Sequence, residues 1–145
     1  MASVELYSET VPQVLTFPED TTSGSFSAGD LVFLHTNGKV RIATAGVITG
    51  IARQGYSGTA DTAIEVELID PHAIYSARYK ASATAQTLVG DCLDFTFTVG
   101  AHTLNETSAT TDVYCVGLDP RDALATSGGR LLVRFYGTLL TATGT

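Results

Sequence analysis

The chain has 145 residues, of which 44% are hydrophobic and only 16% are charged, and this composition suits one globular domain and excludes a disordered chain. Its formal net charge is −7, and residues 1–38 contain five acidic residues and no Lys or Arg. Because binding to nucleic acid rests on Lys and Arg that neutralise phosphates, this distribution argues against a nucleic-acid partner and favours a basic protein surface.

Membrane insertion and secretion have no signal in the sequence. No stretch approaches the roughly 18 consecutive apolar residues that a membrane span needs, and the N-terminus MASVELYSET has no basic region and no apolar core of a signal peptide. We therefore expect no membrane partner and a protein that is made and kept in a cytoplasm. Cys92 and Cys115 lie in separate apolar segments, which is typical of reduced core cysteines.

Residues 1–25 are predicted to form an extended N-terminal arm. Two short extended pieces, residues 4–7 and 13–17, are separated by Pro12, and PEDTTSGS after them is typical of turns and linkers. Acidic and aromatic side chains on such an arm are suited to a protein interface. The arm either reaches a partner or a neighbouring copy, as we predict, or folds back on its own domain. The predicted partner-binding residues are Glu5, Tyr7, Glu9, Phe17, Glu19 and Asp20.

Residues 26–145 are predicted to form one mainly β domain, either a small barrel or a tulip-like or sandwich domain. Alternation of apolar and polar side chains is the main signal, and Asn37-Gly38 between two apolar runs predicts a tight hairpin turn. Residues 74–80 fit a strand or a short helix equally well. The predicted strands cover residues 31–35, 39–43, 47–52, 64–68, 93–99, 112–118 and 131–140.

Two parts of the domain resemble each other. AGDLVFL, from Ala28, and VGDCLDF, from Val89, both place Gly-Asp directly before a strand. Further along, ITGIA resembles CVGLD, and in each case an alternating strand begins 14 residues after the glycine. These matches predict two similar β units that share one core, at about residues 27–70 and 88–136.

The reactive side chains match no catalytic or metal-binding motif. No His lies in a His-x-His or His-Glu-x-x-His arrangement, and no Ser lies in a Gly-x-Ser-x-Gly elbow. The pairs Asp91 with Asp94 and Asp119 with Asp122 lie beside Gly or Pro, where Asp usually forms turns. We therefore expect no enzymatic activity, no catalytic residue, no cofactor and no metal site.

Three segments carry a resemblance to a known family. AGDLVFLHTNGKVRIATAGVITGIARQG, IEVELIDPHAIYSA and VGDCLDF together resemble the small capsid decoration, or cement, proteins of tailed bacteriophages over residues 27–135. The resemblance implies a small β-barrel or tulip-like domain, usually a homotrimer, that binds the outside of an expanded head and bridges major capsid protein subunits. It also implies a location on the outer capsid surface of the virion, with no cofactor and no catalysis. The alternative is another phage virion or tail β-domain with a glycan-binding or adaptor role.

Overall fold

The structure, a computed structural model, describes residues 4–8, 11–22, 24–44, 47–80, 83–106 and 112–135. These residues are mainly β, and their 11 strands form two antiparallel sheets. Their helical structure is one 3₁₀ turn, Gln86–Leu88. The strands are β1 (Val4–Leu6), β2 (Val14–Pro18), β3 (Leu31–Leu34), β4 (Val40–Ile42), β5 (Gly50–Ala52), β6 (Ala63–Leu68), β7 (Tyr75–Arg78), β8 (Cys92–Thr96), β9 (Thr103–Asn105), β10 (Val113–Leu118) and β11 (Arg130–Phe135).

The two sheets are separate ladders. The large sheet has the strand order β1-β7-β11-β10-β8-β9, and the small sheet has the order β2-β6-β5-β3-β4. Because each ladder ends in two edge strands, the fold is not a closed barrel, and the predicted barrel is wrong. The predicted mainly β class is confirmed, and two antiparallel sheets are consistent with a sandwich.

The first hairpin forms where the sequence predicted it. The His35 N–H donates to the Lys39 carbonyl over 2.9 Å, which closes the turn between β3 and β4. Within this turn Gly38 has a φ of 80°. A residue with a Cβ adopts such a φ only at a cost, so glycine at this position favours the tight turn.

Other strand predictions needed correction. Residues 74–80, for which strand and helix were both open, contain β7. The three-residue strand β9 was not predicted, because so short a segment shows no alternation. Cys92 was expected in the core but is exposed at the first position of β8, whereas Cys115 is buried, and both are free thiols. The end of the last predicted strand, residues 136–140, lies outside the described residues.

The strands β2 to β6 and β7 to β11 are arranged in the same order. Adding five to each strand number of the small sheet, β2-β6-β5-β3-β4, gives β7-β11-β10-β8-β9, which is the large sheet without β1. Each set also has one isolated parallel bridge, Glu19 with Val40 in the first and Tyr79 with Leu104 in the second. We call residues 14–68 unit one and residues 75–135 unit two.

Backbone hydrogen bonds give the residue-by-residue correspondence of the units. The Gly29 N–H donates to the Ala52 carbonyl over 2.7 Å, and the Gly90 N–H donates to the Cys115 carbonyl over 2.8 Å. These two glycines precede β3 and β8 and have similar φ angles, 90° and 95°. Ala52 therefore corresponds to Cys115, so the sequence match of ITGIA with CVGLD is out of register. The two matched segments are offset by four residues, and unit two also has a β-bulge after Cys115.

The unit boundaries also differ from residues 27–70 and 88–136. Each unit begins one strand earlier, because β2 and β7 are paired with β6 and β11 in corresponding registers. Five corresponding positions are fully buried in both units, which shows that the two interiors are built alike. These pairs are Val32 with Leu93, Val40 with Leu104, Ala52 with Cys115, Ile64 with Leu131, and Val66 with Val133.

The main hydrophobic core joins both units. Leu31, Ile48 and Ile51 of unit one pack with the interior of unit two in one cluster. A second, smaller cluster lies within unit one around Val32 and Val66. Each fully buried aliphatic side chain contributes about 1.5–3 kcal/mol relative to an exposed one, so the shared cluster holds the two sheets together.

Gly50 is the one position of β5 that leaves no room for a side chain. A Cβ on Gly50 would overlap the Glu67 carbonyl oxygen and approach Val66 Cγ1 to 2.6 Å. The corresponding residue in unit two is Val113, which is buried with its full side chain. The approach of β6 to β5 in unit one therefore requires glycine.

We expect Gly50→Ala to lower the free energy of unfolding by about 2 kcal/mol, because the backbone of β6 must move to admit the methyl group. Urea denaturation followed by circular dichroism measures this change. The control is Gly55→Ala, where the nearest heavy atom to the new Cβ is the Phe26 carbonyl oxygen at 3.9 Å. Equal unfolding midpoints for the two variants would contradict the prediction.

Candidate interaction surface

The N-terminal segment predicted to be an arm forms strands of its own domain. β1 pairs with β7 and β2 pairs with β6, both antiparallel. Val4 is only 1% exposed and belongs to the main core. The structure therefore has the second of the two arrangements considered above, since the edges of both sheets offer the segment backbone partners within the chain.

Glu19 is buried inside unit one, and its carboxylate is fully occupied. It accepts hydrogen bonds from the Ser57 N–H at 2.6 Å, the Ser57 hydroxyl at 2.9 Å and the Gly58 N–H at 3.0 Å. These bonds hold the connection between β5 and β6 against the end of β2. Hydrogen bonds to a charged acceptor are stronger than those between neutral groups. Glu19 therefore stabilises the β5–β6 connection from inside the fold and is not exposed for docking.

Asp20 is also buried and internally bonded. Its carboxylate accepts hydrogen bonds from the Thr22 hydroxyl, the Asn37 amide and the Arg41 guanidinium, the latter two over 2.9 Å. The bonds from Thr22 and Asn37, with that from Arg41, hold the pKa of Asp20 well below its usual range. Asp20 thereby ties β4 and its hairpin to the segment after β2, which leaves no free carboxylate oxygen for a partner to reach.

Glu5 and Tyr7 both contact the guanidinium group of Arg121. The Glu5 carboxylate lies 2.7 Å from Arg121 Nη2, and the guanidinium carbon lies 5.8 Å from the Tyr7 ring centroid. Arg121 also binds buried Asp119, which accepts a 2.6 Å bond from the Ser76 hydroxyl. Burial would raise the pKa of Asp119, but the bonds from Arg121 and Ser76 outweigh it and hold the pKa well below its usual range. This ionic cluster fixes β1 to the connection between β10 and β11.

The other two predicted partner-binding residues have different positions. Phe17 is half-buried and packs against the smaller core of unit one. Glu9 lies outside the described residues. Of the six residues, Tyr7 is thus the one that the structure describes as exposed, with 40% of its surface accessible.

Much of the negative charge of the chain is internal. Six of the 15 acidic residues are buried, so the net charge of the sequence overstates the charge that a partner meets. Sequence alone gives no signal for this burial, because most of the bonded partners of Glu19 and Asp20 lie 17 to 39 residues further along the chain. The buried acids are Glu19, Asp20, Asp30, Asp94, Asp112 and Asp119.

An apolar surface lies along the segment from β1 to β2. Tyr7, Val11 and Leu15 are exposed by 40%, 94% and 50%. Val11 also borders a cavity of about 330 Å³ that Leu6 and Tyr75 line from the large sheet. Exposed apolar side chains mark interaction sites where they form a contiguous patch, and these three lie close together in sequence. We call Tyr7, Val11 and Leu15 with this cavity the β1–β2 surface.

The described residues hold no group of three or more His, Cys, Asp or Glu that could bind a metal ion. A second cavity, of about 260 Å³, is lined in part by Asp119, Asp122 and Arg130. These charges are paired with one another, with Arg130 Nε 2.8 Å from the Asp122 carboxylate. Their arrangement serves to hold the β10–β11 connection in place.

Comparisons with protein-family models, with curated proteins and with solved structures found no match. None of the helical structure in the described residues is long and apolar enough to span a membrane.

His102 is a buried contact between the two units. Its Nδ1 accepts a hydrogen bond from the Leu31 N–H at 3.2 Å, and its Nε2 lies 3.8 Å from Asp30 Oδ2. An Nδ1 that accepts requires the neutral ring to carry its proton on Nε2. Burial lowers the pKa of His102, and the nearby Asp30 carboxylate opposes this shift only in part.

We expect Glu19→Gln to lower the free energy of unfolding by about 2 kcal/mol, because the amide group replaces an oxygen acceptor with a donor facing other donors. Thermal and urea denaturation measure the loss. The matched control is Glu65→Gln on the exposed face of β6, which we expect to change stability by less than about 0.5 kcal/mol. A Glu19→Gln variant as stable as the control would show that the buried carboxylate contributes nothing.

We expect stability to fall as the pH is lowered below about 6.5, the ordinary pKa of histidine. Because burial lowers the pKa of His102 in the folded chain, the unfolded chain binds this proton at a higher pH, and unfolding is favoured by up to about 1.4 kcal/mol per pH unit. Urea denaturation between pH 7.5 and 4.5 measures the slope, and His102→Gln should flatten it. The low pKa values of Asp20 and Asp119 contribute stability at neutral pH, which is lost as the pH falls below about 5. An unchanged slope in His102→Gln would refute this assignment.

Proposed function

We propose that the chain is a structural virion protein that binds the outer surface of an assembled phage head and stabilises the capsid by bridging major capsid protein subunits. The observation that carries the proposal is the β1–β2 surface, where Val11 is 94% exposed and borders a cavity of about 330 Å³, and Tyr7 is 40% exposed. Such a surface fits docking on another protein. The sequence resemblance to capsid decoration proteins points the same way.

The scaffold behind this surface suits a mechanical role. The two units share a main core, and Arg121 fixes β1 through Glu5, so the β1–β2 surface is presented on a rigid body. We further propose that the units form a sandwich or tulip-like domain and that three copies assemble as a homotrimer. Closed symmetry places three copies of one surface on the head, and simultaneous contacts add avidity.

A protein that binds only the assembled lattice stabilises that lattice by mass action, as any ligand selective for one state does. This mechanism needs no reactive group, no cofactor and no nucleic acid contact. The alternative function is that of another virion or tail β-domain with a glycan-binding or adaptor role. A glycan site needs exposed aromatic side chains. Among the large hydrophobic residues that the structure describes as exposed, Tyr7 is the aromatic one, and its ring is already in contact with Arg121.

We expect the purified full chain to co-sediment with expanded, DNA-free phage heads that lack it. Replacing Tyr7 and Val11 together by Ser should weaken binding at least about tenfold, since apolar anchors carry most of an interface's free energy. The control is Leu124→Ser, which removes an exposed apolar side chain, 66% accessible, in the β10–β11 connection. Circular dichroism establishes that both variants are folded.

Equal binding by the two variants would show that the β1–β2 surface is not the contact. A wild-type chain that binds glycans and no heads would replace the proposed function by its alternative. Sedimentation equilibrium of the isolated chain tests the homotrimer separately, and a strict monomer at micromolar concentration would contradict a preformed trimer.

A further inference from the structure

The first strands of the two units have different neighbours. In unit two, β7 pairs with β11 on one side and with β1 on the other. In unit one, β2 pairs with β6 and is the last strand of its sheet within the described residues. The edge that β1 covers in unit two is thus uncovered in unit one, in the part of the chain that the structure describes.

The uncovered edge leaves apolar side chains in solvent. The registers of β2 with β6 and of β7 with β11 make Leu15 correspond to Tyr75 and Phe17 to Ala77. Tyr75 and Ala77 lie opposite β1 and are each 1% exposed. Leu15 is 50% exposed and Phe17 is half-buried. A strand placed on β2 as β1 is placed on β7 would cover both.

The backbone of β2 offers hydrogen-bonding groups to such a strand. Leu68 N–H donates to the Gln13 carbonyl, and Glu19 N–H donates to the Thr62 carbonyl, both over 2.8 Å. Because alternate residues of an antiparallel strand face its neighbour, the backbone groups of Thr16 point away from β6. Thr16 corresponds to Ser76, which lies opposite Glu5 of β1.

The available edge is short. Pro18 has no N–H to donate, and the bridge from Glu19 to Val40 ends the edge on that side. Four residues, Val14 to Phe17, therefore remain for pairing, and β1 itself has three.

The charges beside the two edges have opposite sign. In unit two, Glu5 at the centre of β1 lies 3.8 Å from Arg130 on β11, two strands away. Arg134 of β11 also faces outward. The residue of unit one that corresponds to Arg134 is Glu67 of β6, and Glu65 lies on the same outward face of β6. A strand on β2 therefore meets the Glu65 carboxylate, with the Glu67 carboxylate near Arg53, whereas Glu5 of β1 meets Arg121 and Arg130.

We propose that the outer edge of β2 binds an extended segment of a partner protein by strand addition, and that this segment has the pattern apolar, Lys or Arg, apolar. The apolar residues would lie opposite Leu15 and Phe17, and the basic residue would face Glu65. Val40–Ile42 of this chain has the same pattern but is already paired with β3, and its Arg41 is bound to Asp20. This inference does not rest on the proposed capsid function.

The test uses the full chain and two labelled peptides in fluorescence anisotropy. One peptide has the sequence of residues 2–10, ASVELYSET, and the other is the same peptide with Glu5→Lys. We expect the Lys peptide to bind on the order of 5-fold more tightly, because it meets Glu65 and Glu67 and not a basic face. Glu65→Gln in the protein should reduce this preference.

Thr16→Pro should weaken binding of the Lys peptide about tenfold, because it removes an outward N–H and leaves the bonds of β2 with β6 intact. Thr16→Val, which keeps the N–H, is the matched control. A Lys peptide N-methylated at its lysine tests the same hydrogen bond from the peptide side and does not depend on the folding of a variant.

Binding unaffected by both Thr16→Pro and N-methylation would overturn the proposal, as would tighter binding of the Glu peptide, which would indicate displacement of β1 from β7. Absence of binding at millimolar peptide would also overturn it. None of these results affects co-sedimentation with heads, and a chain that binds the Lys peptide but no heads would retain the strand-addition site and lose the capsid function.

Discussion

The buried carboxylate of Asp30 joins the two halves of the molecule. Its Oδ2 accepts hydrogen bonds from the Ser27 N–H of unit one and the Gly100 N–H of unit two, both at 2.9 Å. The next residue, Leu31, donates its N–H to His102 of unit two. A buried charge is tolerated only with such bonds, so the two units must meet in one orientation. The shared core depends on that orientation.

Internal carboxylates are a general feature of this small fold. The strands are only three to six residues long, so backbone pairing alone holds few residues in place. Glu19 adds hydrogen bonds to the β5–β6 connection, and Asp20 adds one to β4. The carboxylates of Glu19 and Asp20 thus contribute to the stability of the fold. The pairing of Glu5 with Arg121 adds the N-terminal strand to the same internal network.

Sequence patterns were informative where structure is local. Asn37-Gly38 predicts its hairpin because the turn depends on those two residues, and the alternation around Val66 predicts β6 because one face of the strand is buried. The strand β9 and the place of β2 within unit one depend on pairing with residues far along the chain, which no local pattern records. The site predictions failed for Glu19 and Asp20 because most of their donors, at residues 37–58, lie 17 to 39 residues further along the chain.

Because β1 pairs with β7, the first strand of unit two cannot accept a strand from another chain at that edge. Two units of one design with two uncovered edges could each accept a strand, and chains linked in that way propagate into fibres. With the edge of unit two closed from within, the described part of the chain keeps one such edge, shortened by Pro18. The pairing of β1 with β7 thus restricts strand addition beside a first strand to unit one, and it leaves the other edge strands of the two sheets, β1, β4 and β9, as they are.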